Sequence, residues 1–252
     1  MINIEKAKKE FIAYTNQFDV NNPTIKRKIG HSFRVMEISE KIAQKLNLDN
    51  EQIEIASLIG LLHDIGRFGQ MEKYNTFKDL KSIDHGDYGV DILNKDMRKY
   101  IDIDKYDTLI KKAIKNHNKF QIEDGLTKEE LLFSKIIRDA DKMDIFYEAF
   151  SMFWKDKEKD VENQIISNQV FEQFKKHMTI KRSKDDNLEI DSLVTILAFV
   201  FDINFEPTFE MLEKEEYINK IINRFDFKNQ ETKEKMKEVK EIINQYIETN
   251  TK

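Results

Sequence analysis

The stretch Leu61-Leu62-His63-Asp64-Ile65-Gly66 places a histidine and an aspartate directly after two leucines in an apolar helical segment. Burying an ionised carboxylate is expensive unless the charge is paired, so Asp64 needs a partner. A divalent cation is such a partner, because it binds neutral imidazole and carboxylate directly. For an isolated pair a second interpretation stays open, in which Asp64 caps a helix and His63 makes a local hydrogen bond.

Side chains of the same chemical type lie on both sides of this pair. His31 lies on the preceding helical segment, and Asp141 lies in an otherwise apolar one. Together with His63 and Asp64 they supply two imidazoles and two carboxylates, which suits one octahedral metal with positions left for water. The sequence therefore predicts a metal centre built from these four residues.

The composition favours helices joined by polar loops. Hydrophobic residues make up 40% of the 252 residues, which is enough for a core, and only 7 glycines and 2 prolines occur. Strand-rich folds need many tight turns, and those turns favour glycine and proline. The chain is therefore predicted to be all-α.

Local signals place several helix boundaries. Asn22-Pro23 is typical of a helix start, and Thr127 with Glu three residues later fits a capping box. A helix from Asp49 is predicted to stop near Gly66, because glycine readily takes the left-handed conformation after a helix. A loop containing Gly69 and Asn75 is predicted next. Three or four further amphipathic helices are expected after residue 155.

Charge and residue usage exclude several classes of protein. The net charge of -5 lacks the basic footprint of a duplex-binding protein, so no duplex DNA is expected. With no cysteine, a metal must be held by His, Asp or Glu, which suits Mn, Fe, Co, Ni, Zn or Mg. No stretch reaches the roughly 20 apolar residues of a spanning helix, and the N-terminus lacks a signal-peptide pattern. The expected location is the cytoplasm, without membrane association.

The ordered set of a histidine, a His-Asp doublet and a distant aspartate resembles the HD superfamily of metal-dependent phosphohydrolases. The matching stretches are His31-Ser-Phe-Arg34-Val35, Leu62-His63-Asp64-Ile65-Gly66-Arg67 and Ala140-Asp141-Lys142. The resemblance covers roughly residues 25–150. It implies an HD-domain helical bundle at residues 20–155, followed by a helical extension at residues 156–252 that packs on the core or belongs to the same domain.

Two further histidines lie between the doublet and the final aspartate, as in superfamily members with two adjacent metals. By that resemblance His85 and His117 would hold a second ion and Asp64 would bridge both ions. Taken singly, each histidine also fits a capping or helix-end role. The cofactor is thus predicted to be one or two divalent metal ions. His177, the fifth histidine, is predicted to lie at a surface or helix end.

Three cations near the predicted ligands are candidates for substrate binding. The resemblance to members that hydrolyse cyclic dinucleotides assigns Arg67, with Asp64, to the catalytic set, because a guanidinium can hold a phosphate with two parallel hydrogen bonds. Arg34, one turn after His31, and Lys142, next to Asp141, are predicted to act likewise. For all three an ion pair within the scaffold is the alternative. Residues Phe68, Gln70, Tyr74, Phe77 and Asp79 are predicted to wall a pocket.

The resemblance implies hydrolysis of a phosphate ester or anhydride through a metal-activated hydroxide, with a nucleotide as the small phosphorylated substrate. The segment after His117 lacks the second histidine and the Gly-Tyr-Pro signature of the cyclic-dinucleotide phosphodiesterases. Phosphomonoesterase, phosphodiesterase and nucleotide pyrophosphohydrolase activities therefore stay open. A non-catalytic nucleotide sensor and a di-iron oxygenase are the alternatives, and a homodimer is one expected assembly.

Overall fold

The computed structural model of the protein describes residues 2–181 and 188–251, and these residues form helices and no β-strand. The prediction of an all-α fold is confirmed. Across those two ranges, no helix combines the length and apolar character that crossing a membrane requires. The chain divides into two compact units, Met1–Asp141 and Lys142–Lys252.

The first unit holds the site, and its helices follow one another with short connections. In the described residues they are α1 (Ile4–Thr15), α2 (Pro23–Lys45), α3 (Asn50–Leu62), α4 (Ile65–Tyr74), α5 (His85–Tyr100), α6 (Asp107–Asn116) and the start of α7 (Lys128–Ser151). A short 3₁₀ turn, Asp79–Lys81, lies between α4 and α5.

The predicted start signals cap these helices as expected. The Asn22 side chain accepts a hydrogen bond from the Thr24 amide, and Pro23 is the first residue of α2. Thr127 and Glu130 exchange hydrogen bonds between side chain and backbone amide in both directions, which is the capping box predicted for α7. Each cap satisfies amides that the helix itself leaves without partners.

Helices α2 and α3 approach each other closely at Gly60. A Cβ atom on Gly60 would lie 2.7 Å from Met36 Cα and 2.9 Å from the Val35 carbonyl oxygen. Every residue from Ile55 to Leu62 is buried, so the end of α3 is fixed within the core. The absence of a side chain at Gly60 therefore allows α2 and α3, which carry His31 and His63, to pack side by side.

Gly60→Ala is expected to lower the free energy of unfolding by about 1–3 kcal/mol, because its clash is with backbone that cannot rotate away. Gly30→Ala, on α2, is the matched control. A Cβ there would meet only the mobile end of Arg34, at 3.2 Å, and alanine should stabilise the helix by up to about 1 kcal/mol. Urea denaturation measures both, and equal stabilities for the two variants would contradict this account of the α2–α3 contact.

The prediction that Gly66 ends a helix is wrong. Helix α3 ends at Leu62, and Gly66 lies in the first turn of α4, which also contains Gly69 and ends before Asn75. Gly66 is needed for space, because a Cβ there would lie 2.2 Å from the His85 carbonyl oxygen. The left-handed residue after α4 is Asn75, with φ of 50°.

The second unit is built from the end of α7 and six further helices in its described part, rather than the three or four predicted. They are α8 (Glu158–Asn163), α9 (Asn168–Phe174), α10 (Glu189–Leu197), α11 (Glu206–Glu215), α12 (Tyr217–Ile222) and α13 (Gln230–Asn250). Several are only two turns long, and such short helices give weak periodic patterns. Its core contains Trp154, edge-on to Phe225 with ring centroids 5.7 Å apart.

Candidate metal centre

Six side chains, each within a helix or directly at the end of one, meet in the first unit. His31 lies within α2 and Asp141 within α7, whereas the other four lie at helix ends. His63 follows α3, Asp64 precedes α4, His85 begins α5 and His117 follows α6. Helix ends turn the chain sharply, so short segments such as His63-Asp64 bring two ligands to one place.

One group, named site 1, contains His31, His63, Asp141 and the Oδ2 atom of Asp64. His31 Nε2 lies 3.2 Å from His63 Nε2, 3.1 Å from Asp141 Oδ1 and 3.3 Å from Asp64 Oδ2. His63 Nε2 lies 3.4 Å from the same Asp64 oxygen and 3.6 Å from Asp141 Oδ1. Four donor atoms from four residues thus surround one small volume.

A second group, named site 2, contains His85, His117 and the other Asp64 oxygen, Oδ1. His85 Nε2 lies 2.9 Å from His117 Nε2 and 3.3 Å from Asp64 Oδ1. His117 Nε2 lies 3.7 Å from that oxygen. The two oxygens of one carboxylate therefore face two different sets of imidazole nitrogens.

The hydrogen bonds of the opposite ring nitrogens define which nitrogen carries the proton. His63 Nδ1 donates to the Gly60 carbonyl oxygen at 2.7 Å, and His117 Nδ1 donates to the Ile114 carbonyl oxygen at 2.6 Å. A carbonyl oxygen can only accept, so each Nδ1 holds a proton, and each ring in its neutral form presents a lone pair at Nε2. His85 Nδ1 likewise lies 2.6 Å from Asp79 Oδ2.

The rings of site 2 favour their neutral form. Burial, followed by the charge of Arg67, lowers the pKa of His85 to about 4, although the hydrogen bond to Asp79 acts in the opposite direction. Burial is also the main cause that lowers the pKa of His117 below its usual value. The lone pairs of two neutral rings then face each other at 2.9 Å, a repulsive arrangement that a bound cation would relieve.

The carboxylates remain ionised despite their burial. Burial raises the pKa of Asp64, but the charges of Lys28 and His63 outweigh it and hold that pKa well below the usual value. The pKa of Asp141 is also low, because hydrogen bonds from His31 and His63 outweigh burial. Burial lowers the pKa of His63, but the charges and hydrogen bonds of Asp64 and Asp141 outweigh burial. The pKa of His63 is therefore raised above its usual value.

A divalent cation fits this set of donors. Ligand atoms about 2.0–2.2 Å from a metal ion lie about 3.0–3.5 Å from one another in tetrahedral or octahedral geometry. The separations between donors here run from 2.9 Å to 3.7 Å. His31, His63 and Asp141, and separately His63, Asp64 and His117, each converge closely enough to share an ion. Imidazole and carboxylate are ligands suited to transition metals.

Two cations approach Asp64 from outside this ligand set. Lys28 Nζ lies 2.5 Å from Asp64 Oδ2, and Arg67 Nε lies 3.4 Å from Asp64 Oδ1. Arg67 Nε is buried and has no hydrogen-bond partner among the described residues. The side chains of Lys28, Arg67 and Asp141 are 13%, 15% and 16% exposed, whereas that of Asp64 is 2% exposed. The side chains of Lys28, Arg67 and Asp141 are therefore partly exposed, whereas Asp64 is enclosed.

The remaining predicted residues occupy different places. Arg34 is half-buried one turn after His31, and its guanidinium folds back over Gly30. Lys142 belongs to the second unit, where its ammonium lies 2.5 Å from Asp202 Oδ2. His177 also belongs to that unit and stacks on Phe201. Roles for Arg34 and Lys142 in substrate binding remain predictions.

Lys28 was missed by the sequence interpretation, although a signal for it exists. It precedes His31 by one helical turn on α2, and residues at that spacing share one face of a helix. A lysine next to a predicted ligand on the same face was therefore a candidate. No local signal distinguishes Lys28 from the other lysines and arginines at the start of α2 as the one that contacts Asp64.

Comparison with protein families identifies the helical region that carries the centre. Residues 29–145 match the model of the HD domain family. The match includes all six clustered side chains and agrees with the resemblance found in the sequence. HD domains define a superfamily of metal-dependent hydrolases. Neither a curated protein nor a solved structure matches this chain.

Proposed function

We propose that this protein hydrolyses a phosphate ester or anhydride, with a nucleotide as substrate, at a centre of two divalent metal ions. The observation that carries the proposal is the arrangement around Asp64. Its two oxygens face two separate groups of imidazoles, and His63, His85 and His117 each hold Nδ1 against an acceptor oxygen, which leaves Nε2 as the nitrogen that could bind a metal. In this proposal site 1 and site 2 each hold one ion.

Bound ions would supply Lewis acidity toward a phosphoryl oxygen and would lower the pKa of a coordinated water. The protein's own residues do the rest of the positioning. His63 and His117 are held by backbone carbonyl oxygens, so their rings cannot turn away from the centre. The hydrogen bond that a metal-binding histidine makes through its other ring nitrogen usually fixes both its tautomer and its orientation.

The substrate phosphate would bind at the partly exposed edge beside Asp64. Lys28 and Arg67 place two positive charges there, and negative phosphate oxygens favour such a position. Arg67 Nη1 is already bound to the Phe77 carbonyl oxygen at 2.6 Å and to Asp79 Oδ1 at 2.8 Å. Its Nε side is thereby turned toward Asp64.

The test is a hydrolysis screen with reconstituted protein. Metal-free protein is loaded with Mn²⁺, Fe²⁺, Co²⁺ or Zn²⁺ and offered nitrophenyl phosphate monoesters and diesters, then nucleoside mono-, di- and triphosphates and cyclic nucleotides. Metal-dependent phosphate release, with a preference for nucleotides, supports the proposal. Nucleotide binding without product would indicate a sensor, and oxygen consumption by the ferrous protein would indicate an oxygenase.

Metal loading is also expected to stabilise the protein. An ion at about 100 times its dissociation constant should add about 2.7 kcal/mol, which corresponds to a rise in Tm of about 5–10 °C for a chain of this size. The reason is that the folded state alone assembles the donors, whereas the unfolded chain separates them. Differential scanning calorimetry with and without a chelator measures the shift. An unchanged Tm across all four metals would contradict a preformed centre.

A further inference from the structure

Asp79 lies outside the six clustered donors and accepts four hydrogen bonds through its two carboxylate oxygens. Its Oδ2 atom accepts from His85 Nδ1 at 2.6 Å and from Asn118 Nδ2 at 3.2 Å. Its Oδ1 atom accepts from Arg67 Nη1 and from Gln70 Nε2, both at 2.8 Å. One carboxylate thus joins a candidate ligand to the arginine beside Asp64.

The hydrogen bond from His85 has a direct chemical consequence. A carboxylate without a proton can only accept, so the His85 proton resides on Nδ1. His85 Nε2 is then left with its lone pair directed at Asp64 Oδ1, 3.3 Å away.

We infer that Asp79 is a positioning residue that fixes the tautomer of His85 for the ion at site 2 and holds Arg67 beside Asp64. This inference rests on the proposed two-metal function and deepens it by assigning the residue that makes His85 a competent ligand. The 3₁₀ turn Asp79–Lys81 delivers the carboxylate to the outer side of the His85 ring. Asp79 would contact neither metal nor substrate.

The two oxygens of Asp79 have different partners, so replacing Asp79 with asparagine is expected to weaken metal binding more than replacing it with alanine. Arg67 and Gln70 both donate to Oδ1, so in Asp79→Asn the amide oxygen should take that position. The amide NH₂ would then face His85 Nδ1 and donate to it. His85 would be forced into the other tautomer, with its proton on Nε2, and could not bind a metal there.

Asp79→Ala removes the partner without imposing the wrong tautomer, because the ring can still choose either form. We therefore expect Asp79→Asn to weaken the ion at site 2 by about 100-fold and Asp79→Ala by about tenfold, the range typical of ligand-orienting residues. A merely structural role predicts the reverse, since alanine loses all four hydrogen bonds and asparagine keeps some of them.

Asp84→Asn is the matched control on the same loop. Asp84 accepts from Asn118 Nδ2 at 3.0 Å and pairs with Lys119, and its side chain caps α5. Asparagine caps helices about as well as aspartate, so this variant removes a nearby charge without touching the His85 ring. It should leave the affinity of both ions within about twofold of the wild type.

The first readout needs no metal. Long-range proton–nitrogen NMR of ¹⁵N-histidine-labelled, metal-free protein distinguishes the two tautomers, and single histidine substitutions assign the five rings. We expect His85 to be protonated on Nδ1 in the wild type and in Asp84→Asn, and on Nε2 in Asp79→Asn. A wild-type His85 protonated on Nε2 would overturn the inference even if every Asp79 variant failed to fold.

The second readout is calorimetric titration of each metal-free protein with Mn²⁺ and with Zn²⁺. Loss of affinity at site 2 alone, with asparagine worse than alanine, supports the inference. Equal losses, or alanine worse than asparagine, would refute it in favour of a structural role. If the wild type binds a single ion, the two-metal function fails, and the NMR result still decides whether Asp79 controls the His85 tautomer.

Discussion

Asp64→Asn is expected to remove both metal ions and to lower phosphohydrolase turnover by about 10³–10⁴-fold, because metal ions supply several kcal/mol of transition-state stabilisation. The two oxygens of Asp64 face the two groups of imidazoles, Oδ2 toward site 1 and Oδ1 toward site 2. An amide has the same shape, but it has no charge and its nitrogen is not a metal ligand. Metal content after dialysis measures the loss of the ions, and initial rates of hydrolysis measure the loss of turnover.

Asp91→Asn is the matched control, since Asp91 is exposed on α5 and the same charge is removed there. It should retain two ions and full turnover. Circular dichroism of the metal-free proteins shows whether the Asp64→Asn variant is folded. A retained fold is expected, because the amide has the same shape as the carboxylate. Full activity in Asp64→Asn would refute the proposed centre, and retained metal with lost activity would assign Asp64 a role other than bridging.

The six clustered side chains were predicted from the sequence because their chemistry is unusual for the segments that hold them. A histidine or aspartate in a run such as Leu61 to Ile65 has few structural reasons to be there, and the cost of burying it points to a partner. The helix starts at Asn22-Pro23 and Thr127 were predictable for a related reason. Caps depend on local side-chain chemistry, which the sequence states directly.

Features that depend on the path of a loop were not predictable. Asp79 was predicted only as one of several pocket residues, because nothing local shows that the turn after α4 brings it to His85 Nδ1. The loop holds a second aspartate, Asp84, whose partners are Asn118 and Lys119 instead. To predict which of the two carboxylates contacts His85, one must know the path of the loop backbone. Tertiary packing determines that path.

Gly66 shows the same limit for backbone contacts. The rule that glycine follows a helix is sound where a left-handed residue is needed, but here the glycine serves a close approach between α4 and α5. A Cβ atom on Gly66 would lie 2.2 Å from the His85 carbonyl oxygen and 2.8 Å from the Gly89 amide nitrogen. Both atoms are backbone, so no side-chain rotation can make room.

Gly66→Ala is therefore expected to lower the free energy of unfolding by about 3 kcal/mol, at the upper end for overpacking. The first turn of α5 must move away, and it carries His85 with it. Because His85 Nε2 lies 3.3 Å from Asp64 Oδ1, we expect the ion at site 2 to bind about 100-fold more weakly, whereas site 1 keeps its ligands. Urea denaturation and metal titration measure the two effects.

Gly89→Ala tests whether space at that contact, rather than glycine itself, is what matters. Gly89 lies in the same α4–α5 contact, but a Cβ there would meet Ile65 and Ile114 methyl carbons at 3.4 Å and 3.5 Å, which are ordinary contacts. Alanine should fit and should stabilise α5 by up to about 1 kcal/mol. If Gly66→Ala behaved like Gly89→Ala, with both ions retained, the close approach of α5 to α4 would not be what places His85 at the centre. The opposite result, with site 2 lost in Gly66→Ala alone, would mean that a missing methyl group beside the His-Asp doublet determines whether the second ion can bind.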